Sequence, residues 1–181
     1  NWTGYTDMNT VSLPGKQNWG KRISNALKDK YSTPLVIEAK PFFAFLGLYL
    51  AEGHCHASKF NVVITQNEGL KADAIRSLLK DIPLNWSEHY SGKKVTFAAS
   101  DYRLWNFVKP LGNKYTKHIP TEYKNASPAL LEEMVEWYHF GDGRKITYGG
   151  YTNKSIFSVS EKLMDDFHEI FTKLGIVGIK T

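Results

Sequence analysis

Residues 42–51 read FFAFLGLYLA, an apolar run broken only by Gly47. Pro41 suits a first helical turn and Gly53 an end, so the run predicts a helix over residues 41–51. The period then changes. In residues 59–66, KFNVVITQ, Phe60, Val62 and Ile64 fall on one face and Lys59, Asn61 and Thr65 on the other, which predicts a half-buried strand. Leu70, Ala74, Ile75, Leu78 and Leu79 return to helical spacing within residues 68–80, and Pro83 follows. Residues 85–90 and 93–99 flank Ser91-Gly92, a two-residue hairpin turn. Asp101 is placed to cap a helix over residues 102–111 that stops at Gly112.

After a polar connector with Pro120, residues 113–127, the same order begins again. Residues 128–140 predict a helix running into Gly141-Asp142-Gly143, followed by a strand at 144–148 and a Gly149-Gly150 turn. A second strand at 155–160 and a helix at 161–174 complete it. This is an internal repeat of pattern rather than identity. It divides the chain into an N-terminal extension (1–40), a first unit (41–112), the connector (113–127) and a second unit (128–181). The second unit is short. Its helix is followed only by Ile176 to Thr181, whereas the first unit continues from Pro83 to Gly112. Either the second unit lacks a hairpin and helix, or residues 1–40 fill their place.

Composition narrows the class. With 181 residues, 42% hydrophobic and 14% aromatic, the chain can bury one core or two small fused halves, and it is not disordered. No apolar run reaches membrane-spanning length and no signal pattern opens the chain, so an intracellular protein without a membrane partner is expected. One cysteine, Cys55, excludes an internal disulfide. The net charge of +5 is spread mildly over most of the sequence, but residues 128–143 carry four acids and no base. A basic body around an acidic helix suits a polyanion laid over a cation-binding centre.

The candidate chemistry sits at the two helix ends. FLGLYLAEG closes on Glu52-Gly53 and VEWYHFGDG on Asp142-Gly143, with the two glycines 90 residues apart. A carboxylate is unfavourable at a helix C-terminus, where the macrodipole is negative. Two in matched places point to a cation between them. Gly47, Ala51 and Gly141 are small enough to let two backbones approach.

These paired segments resemble the signature helices of the LAGLIDADG (dodecapeptide) homing endonucleases, in their single-chain, pseudo-symmetric form. Lys117-His118-Ile119-Pro120 and SVSEKLMDDFHEIFTKLGI resemble the intein-encoded branch, and a phage-encoded origin is equally open. The resemblance implies an α+β fold of two αββαββα-type halves with saddle-shaped antiparallel sheets, the second shortened. It also implies a monomer that cuts both strands of a double-stranded DNA target to leave short 3′ overhangs. Glu52 and Asp142 become ligands of Mg²⁺ or Mn²⁺, and Lys117 becomes a supporting electrostatic catalyst. Hard Mg²⁺ needs only one or two protein carboxylates beside phosphate and water. The strands would lie in the major groove, which admits such ribbons. Lys59, Asn61, Thr65, Lys94 and Thr96 are candidates for the DNA face, with Arg144 and Lys145 on the second sheet and His54 and His56 near the cut.

Plainer readings stand beside these. An acid before a helix-ending glycine is common, and Lys117 could be a solvated surface lysine. His54, Cys55 and His56 lack the further ligands of a zinc site. Trp137 stands where the first helix has Gly47, and an indole there would part the helices unless it turned outward. That position and the short second unit support an alternative: a relative that no longer cuts and serves as an RNA-splicing maturase or DNA-binding regulator. An intein's endonuclease portion is a third reading, although Asn1 and Lys180-Thr181 are not splicing ends.

Overall fold

The apolar run lies at the centre of the molecule. In the computed structural model, which describes residues 4–19, 24–56, 59–148 and 151–177, it belongs to helix α2 (Ala39–Glu52). Every residue from Phe42 to Leu50 is buried, as a helix apolar on all sides requires. Its repeat partner α5 (Pro128–Asp142) packs along it. Both helices run further than their apolar patterns, so Glu52 and Asp142 are themselves the last helical residues.

The first half follows the expected order. After α2 come β3 (Gly53–Cys55), β4 (Asn61–Asn67), α3 (Leu70–Lys80), β5 (Trp86–Ser91), β6 (Lys94–Ser100) and α4 (Tyr102–Val108), which tightens into a 3-10 turn over Lys109–Leu111. The sheet is antiparallel, in the order β3-β4-β6-β5. Val62, Ile64, Val95, Phe97 and Ala99 cover its helix-facing side and are buried. Asp101 caps α4 as expected, its side chain accepting from the amides of Arg103 (2.9 Å) and Leu104 (3.4 Å).

The second half is α5, β7 (Gly143–Tyr148), β8 (Tyr151–Ile156) and α6 (Glu161–Lys173), with a sheet of two strands among the described residues. The second strand is therefore not at 155–160. Pairing with β7 places it earlier, with Gly143 opposite Ile156 and Tyr148 opposite Tyr151. The Gly149-Gly150 turn lies outside the described residues.

Among the described residues, no strand of the N-terminal extension joins the sheet of the second half. β1 (Thr10–Leu13) and β2 (Leu35–Glu38) pair with each other in a separate sheet, with α1 (Asn25–Ser32) between them. Tyr31 of α1 is buried and donates from its hydroxyl to the Ser100 carbonyl at 3.2 Å, so this extension leans on the first half. Its start is tied to the connector, where Thr6 N donates to Asn125 O at 2.6 Å, and to the second half, where the Tyr5 hydroxyl donates to Lys173 O.

The connector is polar in composition but firmly packed. Tyr123 lies 5.2 Å from the Phe42 ring, and buried Asp166 of α6 accepts from Ile119 N (2.8 Å), Lys124 Nζ (2.9 Å) and Lys162 Nζ (2.6 Å). Among the described residues no helix is long and apolar enough to cross a membrane.

Candidate functional site

Glu52 and Asp142 end the two central helices, so their meeting depends on how closely α2 and α5 approach. A Cβ on Gly47 would stand 2.1 Å from the Met134 carbonyl oxygen and 3.0 Å from the Tyr138 amide nitrogen. One on Gly141 would stand 2.5 Å from the Ala51 Cβ and 3.1 Å from the Glu52 Cγ. The helices thus touch at two levels, the second beside the carboxylates. Trp137 does not part them. It is half-buried on the flank, where its indole donates to Glu133 Oε1 at 3.0 Å and its ring meets Phe140. Gly53 and Gly143 are not left-handed helix caps, since their φ angles are −87° and −102°. Glycine is needed at both because Tyr49 Cδ2 and His139 Cδ2 would stand 2.2 Å and 2.4 Å from a Cβ.

The electrostatics follow from this convergence. Two negative helix ends and two carboxylates share one place. Burial pushes the Glu52 carboxyl above its usual range, and the Asp142 charge pushes it further. Desolvation also raises Asp142, although its side chain keeps contact with solvent. Gln66 Nε2 opposes the trend by donating to Glu52 Oε1 at 3.1 Å.

Two lysines complete the site. Lys117 is no surface lysine: it is 7% exposed, and its Nζ donates to Tyr49 O (3.0 Å), Leu50 O (2.8 Å) and Gly53 O (2.9 Å). It gathers the carbonyls at the junction of α2 and β3, where Tyr49 O also accepts from Gly53 N and the last turn of α2 runs out of intrahelical donors. Burial pushes its ammonium down to about 8, while Asp142 and Glu52 pull it back up. Lys71, from the first turn of α3, does the corresponding work on α5, donating to Phe140 O and, at 3.3 Å, to Gly141 O. Each carboxylate-bearing tip is therefore held by a lysine from another element. Gln66 and Lys71 are absent from the sequence-based candidates.

The donor set suits a hard divalent cation. Among the described residues no three His, Cys, Asp or Glu side chains are grouped to hold a metal ion, so Glu52 and Asp142 form a two-carboxylate donor set. That is the usual provision for Mg²⁺, which keeps water and takes phosphate oxygens. Two carboxylates held above their ordinary pKa by burial, one of them also by the other's charge, form a place where a cation relieves stress.

Beside the tips lies the open face of the first sheet. His54, Val63, Ala98 and Ser87 form one row across its strands, Thr65, Thr96 and His89 the next, and Asn67, Lys94 and Ser91 a third. Thr65 and Thr96 join through their hydroxyls at 3.3 Å. Asn61, Thr65, Lys94 and Thr96 thus share one face, as alternation requires. His54 and His56 are exposed neighbours with ring centroids 5.9 Å apart. Lys59 is exposed but precedes the strand instead of belonging to it. Arg144 and Lys145 do not act together: Lys145 pairs with Lys154, which reaches Glu136 on α5, and Arg144 points to the opposite face. Ser87 and His89 are further polar members of the open face that the sequence pattern did not single out.

The sequence matches no protein-family model and no curated protein. Its fold does have counterparts. An I-DmoI variant in complex with its target DNA and manganese superposes with a TM-score of 0.55 at 12% identity, over 76% of each chain. I-DmoI in complex with DNA and manganese superposes with a TM-score of 0.53 at 11% identity, over 76% of this chain and 78% of that one. The N-terminal LAGLIDADG domain of DUF199/WhiA gives a TM-score of 0.41 at 10% identity, over 78% and 83%. With its paired central helices and flanking antiparallel sheets, the chain has the fold of the LAGLIDADG homing endonuclease I-DmoI.

Proposed function

We propose that this chain is a site-specific, metal-dependent endonuclease that acts as a monomer on double-stranded DNA. The observation that carries the reading is the meeting of Glu52 and Asp142 on touching helix tips, with a polar sheet face starting two residues away at His54. Support also comes from I-DmoI, whose structures hold target DNA with manganese or calcium.

Glu52 and Asp142 would hold Mg²⁺ or Mn²⁺ at the scissile phosphate. Such an ion, when bound, lowers the pKa of water and neutralises charge developing on the phosphate oxygens. Gln66 fixes the orientation of Glu52. The donors of Lys117 are committed to the carbonyls of Tyr49 and Leu50 in α2 and of Gly53 in β3, so it supplies a fixed positive charge and sets the position of the tip without reaching a substrate oxygen. Asn61, Thr65, Lys94 and Thr96, with Ser87 and His89, face the major groove, while His54, His56, Lys59 and Arg144 lie where backbone and base edges would pass. Lys145 contributes charge from the other side of its strand.

The test is cleavage of plasmids bearing a randomised insert, with Mg²⁺ present. Glu52→Gln and Asp142→Asn should each lower cleavage by roughly a hundredfold or more, as loss of a group acting on transition-state charge does, while leaving DNA binding in place. Full activity in either variant would overturn the assignment. Tight binding by the wild type with no cleavage of any site would favour the maturase or regulator reading.

A further inference from the structure

The sheet's open face ends, at the side away from the carboxylates, in the β3–β4 connection. β3 leaves the helix tip at Gly53, and His56 N donates to Asn61 O at 3.1 Å where the hairpin closes. Here the N-terminal extension is packed. Trp19 lies 5.2 Å from Tyr102 and 6.4 Å from Phe60, Tyr31 reaches the end of β6 through Ser100 O, and Trp105 Nε1 donates to His56 O at 2.7 Å. The aromatic cluster therefore continues the first half beyond the end of its strands.

That continuation is basic. Lys16 Nζ sits 4.9 Å from the Trp19 ring and 5.0 Å from Tyr102, and Lys30 Nζ sits 5.2 Å from Tyr31. Among the described residues, Lys16, Lys28 and Lys30 form no salt bridge. A shallow cleft of about 310 Å³ opens between Lys16, Gln17, Asn18, Trp19 and Lys28, with Asp29 as its acid. Lys16 and Lys30, held against rings, and Lys28, lining the cleft, have no carboxylate partner among the described residues and match an anionic ligand with many acceptor oxygens.

We infer that Lys16, Lys28 and Lys30 form an auxiliary phosphate-binding rim, which extends the DNA contact of the first half past the β3–β4 end of the sheet. The inference rests on the DNA reading above and names a part of the footprint that the sheet cannot reach. It makes no base-specific contact. Its contribution is sequence-independent affinity, released with counterions as salt rises.

The experiment measures binding of a random-sequence duplex of about 30 base pairs as a function of salt, a length that covers both sheets with flanks. Wild type is compared with a Lys16→Ala/Lys28→Ala/Lys30→Ala variant and with Lys28→Ala/Lys30→Ala, which leaves the Trp19 contact intact. Each lost phosphate contact should reduce the slope of log affinity against log salt by about 0.9, so the slope falls by about 3 and about 2 respectively. Cleavage of a recovered target at saturating DNA should stay unchanged while KM rises. Wild-type slope and wild-type KM in the folded double variant would overturn the rim and leave the nuclease reading intact. If the wild type itself binds no duplex, the DNA reading fails and the rim with it.

Discussion

Glu52 carries a conflict that can be measured without any substrate. Its folded pKa lies above its ordinary value because of burial and the Asp142 charge. A carboxyl raised in this way binds more protons folded than unfolded, so stability falls as pH rises through the window between its unfolded and folded values. Above the raised value the repulsion is fully present. Glu52→Gln removes it and keeps an oxygen that can accept from Gln66. In a chelating buffer near pH 7 the variant should be more stable than wild type by about 1 kcal/mol, the usual gain from relieving an active-site conflict. The gap should close as pH falls below the raised value, and thermal unfolding across pH reads both effects. Equal stability at every pH would show that the pair is not in conflict. The two acids were legible in the sequence because the motif repeats. Gln66 and Lys71 were not, because their roles depend on which distant segments meet at the tips. One signal did exist for Lys71: a lysine in the first turn of α3 opposes the positive end of that helix. It is explained by the carbonyls of α5 that it reaches.

At the level of elements, the site exists because α2 and α5 come into backbone contact, and Gly47 sets that distance. Its missing Cβ would meet a backbone carbonyl at 2.1 Å, and a backbone atom cannot rotate away as a flexible side chain would. Gly47→Ala should therefore cost about 1–3 kcal/mol, the range for overpacking a tight core, and chemical denaturation measures it. Less than about 0.5 kcal/mol, the range of an indifferent surface change, would mean that the helices part easily and that the tips are not held by this contact. The central helices, the β4 alternation, the α3 spacing and the Asp101 cap could all be read from period and end signals. β8 could not. Phe157 and Val159 alternate with polar neighbours as strand residues do, yet both are exposed beyond the strand. The partner strand and its register decide where β8 lies, and no local window contains that information. The connector likewise looks like a loose polar loop until Asp166, buried 42 residues beyond Lys124, draws it in.

The whole molecule is unequal in its two halves, and the inequality is written into the central helices. On α2, Phe42 is covered by Phe107 and Tyr123 at 5.2 Å each, from α4 with its following segment and from the connector. The positions that match Phe42 and Phe43 on α5 are Glu132, which is exposed, and Glu133, which pairs with Lys40 at 3.7 Å. α5 thus presents carboxylates where α2 presents rings, so it offers no apolar seat for a counterpart of α4. Among the described residues its sheet has two strands against four. If the chain cuts DNA as proposed, the four-stranded sheet offers more side chains to base edges than β7 and β8 can. Each good base contact discriminates by about 1–3 kcal/mol, so the difference accumulates over a half-site. Selection of cleaved sites from a randomised library should return strong base preferences on one side of the cut and weak ones on the other. The strongly specified side should lose its preferences in Thr65→Ala, Thr96→Ala and His89→Ala variants, whose side chains form one row of the larger sheet. Equal preferences on both sides would mean that two strands read as many bases as four, and that sheet width does not set the specificity of this protein.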